Sequence, residues 1–92
     1  MAGSSGEIWC DTKTWRGNHL LAMSLSDAAR VAYNVGYKGL AHDLYKQAAY
    51  FETLALRWLD PTKKRTAKIT EDSLIALSEK AAKCAPSKEG AP

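Results

Sequence analysis

The chain has 92 residues, enough for one globular domain and too few for two independent hydrophobic cores. Hydrophobic residues make up 46% of it and charged residues 25%, which is ordinary for a folded domain and excludes disorder over the whole chain. Thirteen Lys and Arg against ten Asp and Glu leave a net charge of +3, which permits an acidic partner without requiring one. No apolar run approaches about 18 residues, so we expect no membrane contact.

Residues 1–19 show no sustained helical or strand period, and we interpret them as an irregular N-terminal arm. The arm carries two tryptophans, Trp9 and Trp15. Its first residues lack the basic and apolar regions of a secretory signal, so we expect a cytoplasmic protein. The two cysteines of the chain, Cys10 and Cys84, are then expected to stay reduced, although a single disulfide between them is also compatible with the sequence.

The first predicted helix spans about residues 24–35. Apolar residues recur there at alternating spacings of four and three, which places them on one helix face: Leu21, Leu25, Ala28, Ala32 and Val35. Ser24 is the predicted N-cap, with Asp27 three residues later. Gly36 tolerates a left-handed backbone and is the predicted stop.

The second predicted helix, at about residues 38–59, has the longest apolar stripe and ends before Pro61. The stripe alternates small and large residues: Tyr37, Ala41, Leu44, Ala48, Phe51, Ala55 and Trp58. The alanine row lets a neighbouring helix approach closely, and the large row supplies buried area. The first helix covers barely half of this stripe. The segment from Phe51 to Trp58 therefore needs cover from the third helix, the arm or a second chain.

The third predicted helix spans about residues 71–84 and follows a polar loop. Thr70 is its predicted N-cap, and Ile69 is expected to pack on Leu74 as a hydrophobic staple. Apolar residues recur along it at spacings of three, four and three: Leu74, Leu77, Ala81 and Cys84. We therefore interpret Cys84 as a small buried hydrophobe rather than a nucleophile.

The three helices predict an all-α domain built on an antiparallel helical hairpin. The irregular arm occupies residues 1–19, the helical domain residues 20–85 and a flexible tail residues 86–92.

Few residues are arranged for catalysis or for metal binding. His42 and Asp43 are adjacent and point about 100° apart on a helix, so they do not form a metal site by themselves. His19 has no partner that the sequence identifies. Because no glycine-rich phosphate loop or nucleophile motif is present, we predict no catalytic, metal or cofactor site and a protein that is not an enzyme.

The strongest electrostatic feature is a basic cluster in the predicted loop: Lys63, Lys64, Arg65 and Lys68. Clustered cations of this kind neutralise phosphates, so the alternative function is nucleic-acid binding, with Lys38 and Lys46 contributing. On the second helix, however, the cations are offset by Asp43 and Glu52, which favours a protein partner.

Residues 28–49 carry a small and aromatic pattern in which four positions matter: Gly36, Ala41, Tyr45 and Ala48. The pattern resembles the helical hairpins of tetratricopeptide motifs and microtubule-interacting-and-trafficking domains. With Ala28 and Ala29 ahead of the glycine, it is also similar to the ANR-type small bacterial regulators. The chain departs from the tetratricopeptide pattern at Thr53, where a proline is expected. The resemblance implies a protein-binding module without a catalytic role.

Residues 31–37, followed by residues 44–47, resemble the helix-turn-helix of arabinose-type transcription activators. That resemblance implies a recognition helix that presents Lys38, His42 and Lys46 to a DNA groove. The register differs by at least one residue, and the long apolar stripe favours a core helix over a short recognition helix.

We therefore predict a protein–protein interaction module that acts as a small regulator or adaptor. Its partner is another protein or a second copy of the chain, as a homodimer. The predicted partner-binding residues are Trp9, Trp15, Phe51 and Trp58.

Overall fold

A computed structural model describes residues 11–84 of the chain. This part contains three α-helices of 20 residues each, α1 (Trp15–Asn34), α2 (Lys38–Arg57) and α3 (Lys64–Lys83), and no strand. The prediction of an all-α, three-helix domain is confirmed. The predictions for Trp9, Cys10 and the tail fall outside the described residues.

Helix α1 begins at Trp15, so the predicted start near residue 24 is wrong. Its N-cap is Thr14, whose hydroxyl accepts a hydrogen bond of 3.0 Å from the backbone N–H of Gly17. The first turn buries a glycine and Asn18 instead of apolar residues, which interrupts the hydrophobic period. That interruption made the last residues of the predicted arm look irregular, and Ser24 look like a cap.

The turn between α1 and α2 confirms the predicted stop at Gly36, whose φ of 98° lies in the left-handed region. Its N–H donates to the carbonyl of Tyr33, and the N–H of Tyr37 donates to the carbonyl of Ala32. These two bonds are those of a Schellman motif, which satisfies the last carbonyls of a helix. The tight turn sends α2 back along α1 and confirms the antiparallel hairpin.

The contact between α1 and α2 is made by alanines that have no exposed surface: Ala22, Ala29, Ala41, Ala48 and Ala55. Side chains this small let the two helix backbones approach closely, as the alanine row predicted. We call this contact the alanine seam. Helix α2 is central, because α1 and α3 both pack against it.

The connection from α2 to α3 is a short turn held by Asp60. Its carboxylate accepts bonds of 3.0 Å from the backbone N–H and the hydroxyl of Thr62, which hold the pKa of Asp60 below its ordinary value. Helix α3 then begins at Lys64, so the predicted start near residue 71 and the loop over Lys64–Lys68 are wrong. Lysine and arginine are good helix formers, and this basic stretch is helical. Thr70 is a buried residue within α3 and not its cap.

The molecule is thin for its size. Its principal extents are 46 × 37 × 19 Å, and its radius of gyration is 14.7 Å. A compact chain of this length has a radius of gyration of about 12 Å. Much of each helix therefore remains at the surface, and ten large hydrophobic residues in the range 11–84 are exposed.

Candidate interaction surface

Two rows of mostly apolar residues flank the alanine seam. The α1 row consists of Leu21, Leu25, Ala28, Ala32 and Val35, of which Ala32 is buried in the core, and the α2 row of Leu40, Leu44, Gln47, Phe51, Leu54 and Trp58. Both rows advance by alternating steps of four and three residues, so each keeps to one side of its helix. We call the two rows together the outer face.

The outer face lies on the side of the hairpin away from α3. On α2, the ring of His42 contacts Ala81 of α3, and Leu40, two residues earlier, points about 160° away from it. On α1, His19 and Trp15 face Glu52 and α3, and Leu21 points about 160° away from His19. Within the described residues, helix α3 therefore does not cover either row.

Several residues of the outer face are exposed although they are large and apolar. Leu40 and Trp58 are each 50% exposed, and Val35 is 61% exposed. Leu44 and Phe51 are half-buried and pack against the edge of the core. A monomer gains little from leaving side chains of this size in water, so the face is suited to contact with another surface.

The outer face carries no charged residue, and Gln47 is its only polar side chain. Charged residues lie along its margin on α2, where Asp43 and Arg57 are both exposed. Neither forms an ion pair with another residue in the range 11–84. An apolar centre with a charged margin is the usual anatomy of a protein interface.

A second feature is a polar cluster that joins the three helices at the start of α1. It consists of Trp15, His19, Glu52 and Thr70. The carboxylate of Glu52 has no exposed surface, and each of its oxygens lies 3.0 Å from Nδ1 of His19. The His19 ring stacks on that of Trp15, with ring centroids 5.2 Å apart. Nε1 of Trp15 donates to the hydroxyl of Thr70 at 3.0 Å.

The first turn of α1 adds another buried polar residue, Asn18, which is bonded to the turn that precedes the helix. Its Nδ2 donates to the carbonyls of Thr12 and Thr14, both at 2.9 Å. Its Oδ1 is buried and has no hydrogen-bond partner among the described residues. Because the turn folds back over α1, a Cβ on Gly17 would collide with the backbone of Asp11. The polar cluster and this turn therefore fix the position of the first turn of α1.

At the opposite end of the molecule, Tyr45 is 6% exposed and lies beside Cys84. Burial, followed by the charge interaction with Cys84, raises the pKa of Tyr45. Together with Tyr33, Lys80 and Lys83, these residues line a cavity of about 250 Å³. This volume is below the roughly 300–1,000 Å³ of typical small-molecule sites.

The basic cluster is exposed along the start of α3, and Lys68 pairs with Asp72 at 3.3 Å. Lys38 lies at the start of α2, about 30 Å away along that helix. It sits over the ring of Tyr33, with its Nζ 5.6 Å from the ring centroid. The structure therefore does not bring Lys38 together with the basic cluster.

Two further kinds of site are absent from residues 11–84. In that range no group of three His, Cys, Asp or Glu residues is arranged to hold a metal ion. None of the three helices there is long and apolar enough to cross a membrane. His42 has a structural partner, because its Nδ1 donates to the carbonyl of Ala81 at 2.8 Å.

Three of the four residues predicted to bind a partner lie among the described residues, and the structure separates them. Phe51 and Trp58 lie together on the outer face, whereas Trp15 belongs to the polar cluster on the other side of the hairpin. Trp9 lies outside the described residues. Sequence analysis identified no partner for His19 and counted Glu52 among the charges that offset the cations of α2. In the structure the two side chains are bonded to each other, and Glu52 is completely buried. The spacing of Glu52 from Ala48 and Ala55, four and three residues, was the available signal.

Comparison with known proteins gives no match. No protein-family model, no curated protein and no solved structure matches the chain. The resemblances to helical-hairpin modules and to helix-turn-helix activators therefore stay predictions, and the surface itself carries the functional argument.

Proposed function

We propose that the protein is a non-enzymatic interaction module, a small regulator or adaptor, whose binding surface is the outer face of the α1–α2 hairpin. The observation that carries the proposal is the uncharged apolar surface that runs along both helices and includes Leu40, Phe51 and Trp58. The partner that fits this surface is a protein with an uncharged apolar helical face of its own, because helices with four–three spacing pack against each other side by side.

Site-specific photo-crosslinking in cells tests this proposal. A photoreactive amino acid at Leu40 is expected to capture a protein adduct whose crosslinked peptide, identified by mass spectrometry, comes from an apolar helix. The matched control is Leu20, which is 51% exposed, almost the same as Leu40 at 50%, but lies outside the outer face. Adducts of equal yield at both positions, or none at Leu40, would contradict the proposal.

The alternative function, nucleic-acid binding, is supported by one observation. Lys63, Lys64 and Arg65 are exposed at the N-terminus of α3, where the helix dipole disfavours cations, so the dipole does not account for their clustering there. If they bind phosphates, affinity for DNA or RNA must fall steeply with salt. Charge reversal at Lys64 and Arg65 must also weaken that binding. Binding that both changes leave unaltered would reject this alternative.

A further inference from the structure

We infer that the partner of the outer face is a second copy of this chain, docked antiparallel so that two α1–α2 hairpins form a four-helix bundle. The inference rests on the proposed function, since it assumes that the outer face binds protein. It adds the identity of the partner and the relative direction of the two hairpins.

The composition of the outer face is the first argument. In a twofold-symmetric dimer, each surface meets its own copy, so a face without charge always meets a matching face without charge. The α2 row from Leu40 to Trp58 also advances by steps of four and three residues without interruption, so it stays on one side of the helix over its whole length. Gln47, near the middle of the row, is an uncharged polar group of the kind that sets register in bundles of packed helices.

The charges on the margin set the direction. In an antiparallel pair of α2 helices, the twofold axis falls near the middle of the row, so Leu40 faces Trp58 of the second copy. The same axis places Asp43 near Arg57 of the second copy, and the symmetric contact repeats the pair. A parallel pair would instead place Asp43 near its own copy, and Arg57 likewise. Of these two pairings of α2 with α2, only the antiparallel one brings Asp43 and Arg57 together.

The size of the face is also sufficient. The α2 row is about 27 Å long at 1.5 Å per residue, and two packed helices are about 20 Å wide. The projected area is thus about 540 Å², and protruding side chains add to it. Stable dimers bury about 800 Å² per partner, so the outer face is of the required order.

Light scattering after size-exclusion chromatography tests whether the second copy binds. The wild-type chain is expected to show about twice its mass of 10.1 kDa. Leu40→Glu places a charge in the apolar centre and is expected to weaken the dimer by more than about a hundredfold. The matched control, Leu20→Glu, is expected to remain dimeric. Both positions are exposed in the monomer, so circular dichroism is expected to show unchanged helix content.

The two proposals fail in different ways. A monomeric wild-type chain at micromolar concentrations would overturn the second copy as partner. If Leu40 were still crosslinked to another protein in cells, the proposed function would stand. A dimer that Leu20→Glu disrupts as strongly as Leu40→Glu would also overturn the inference, because the interface would then lie elsewhere.

A charge exchange tests the direction of docking. Asp43→Arg and Arg57→Asp are each expected to weaken the dimer about tenfold, because each introduces like charges at two symmetric contacts. The double variant restores opposite charges and is expected to bind within about twofold of the wild-type chain. A double variant as weak as the single variants would reject the antiparallel arrangement.

Discussion

The alanine seam and the polar cluster bury residues of α2 with different chemistry. Towards α1, helix α2 presents Ala41, Ala48 and Ala55, all completely buried. Towards the shared end of α1 and α3 it presents Glu52, which is just as buried but ionisable. The largest fully buried side chains of the described chain are all polar, namely Glu52, Asn18 and Thr70. Small residues thus set how closely the helices approach, and polar contacts set where α1 and α3 stand relative to α2.

The alanine seam contributes little to the hydrophobic stabilisation of the monomer. A buried alanine contributes little transfer free energy, whereas a fully buried leucine or phenylalanine contributes about 1.5–3 kcal/mol. The chain uses alanines in its seam and leaves Leu40 and Trp58 half exposed. About half of the surface of Leu40 and of Trp58 therefore contributes nothing to the hydrophobic stabilisation of the monomer.

The largest expected effect comes from breaking the polar cluster. His19→Ala removes the partner of the buried Glu52 carboxylate, which is then left without a charged or hydrogen-bonded neighbour at that position. We expect a loss of about 3 kcal/mol in the free energy of unfolding, measured by urea denaturation at neutral pH.

The control for this variant changes the carboxylate instead. In the Glu52→Gln background there is no buried charge to strand, so His19→Ala is expected to cost much less than in the wild-type chain. Equal losses in the two backgrounds would show that His19 and Glu52 are not coupled.

The alanine seam is tested by adding volume. Ala48→Leu inserts three extra carbons where two helix backbones approach, and we expect it to cost about 2 kcal/mol in urea denaturation. Ala76→Leu makes the same change at an exposed position of α3 and is expected to be nearly neutral. If both variants lost the same stability, close approach along the seam would not be a determinant of the fold.

The seam was predictable from the sequence, whereas the polar cluster was not. The alanine row, Gly36 and the end of α2 are encoded by spacing and by backbone preference, both of which act locally. His19 and Glu52 are 33 positions apart, and their pairing exists only once the hairpin has formed. Hydrophobic periodicity counts a carboxylate as a surface residue, so it placed Glu52 in solvent.

Local sequence signals also placed the predicted starts of α1 and α3 at the wrong residues. Ser24 and Thr70 carry the side chains of N-caps, but both lie inside helices. Thr70 is held there by a contact with Trp15, which is 55 positions away. The expectation that α1 covers barely half of the α2 stripe is wrong, because α1 has 20 residues, as many as α2. The separation of the outer face from α3 required the three-dimensional arrangement.

The contact between α1 and α3 can be weakened without changing size. Thr70→Val keeps the shape but removes the oxygen that accepts the Trp15 N–H bond, leaving a donor partly buried. We expect a loss of about 1 kcal/mol, seen as a lower urea midpoint and a change in tryptophan fluorescence. Thr53→Val is the matched control, because Thr53 also donates to the carbonyl four residues earlier but is exposed and accepts no tryptophan bond. Equal losses of stability in Thr70→Val and Thr53→Val would show that the loss comes from the bond to the carbonyl four residues earlier, and not from the bond with Trp15.

The smallest expected effect concerns pH and the far end of the contact between α2 and α3. Burial raises the pKa of Tyr45 above its ordinary value of 10.0. The folded chain therefore holds the phenolic proton more tightly than the unfolded chain. The resulting stabilisation is complete below about pH 10 and is lost as pH rises through the pKa of the folded state.

Urea denaturation of Tyr45→Phe should accordingly show a shallower decline in stability above pH 10 than the wild-type chain, whereas Tyr50→Phe, at an exposed position, should follow the wild-type curve. Because the comparison is between variants, lysine deprotonation in the same pH range affects all three curves alike. A Tyr45→Phe curve parallel to the wild-type curve would show that burial does not shift the pKa of Tyr45, and that this end of the α2–α3 contact is as open to water as the outer face.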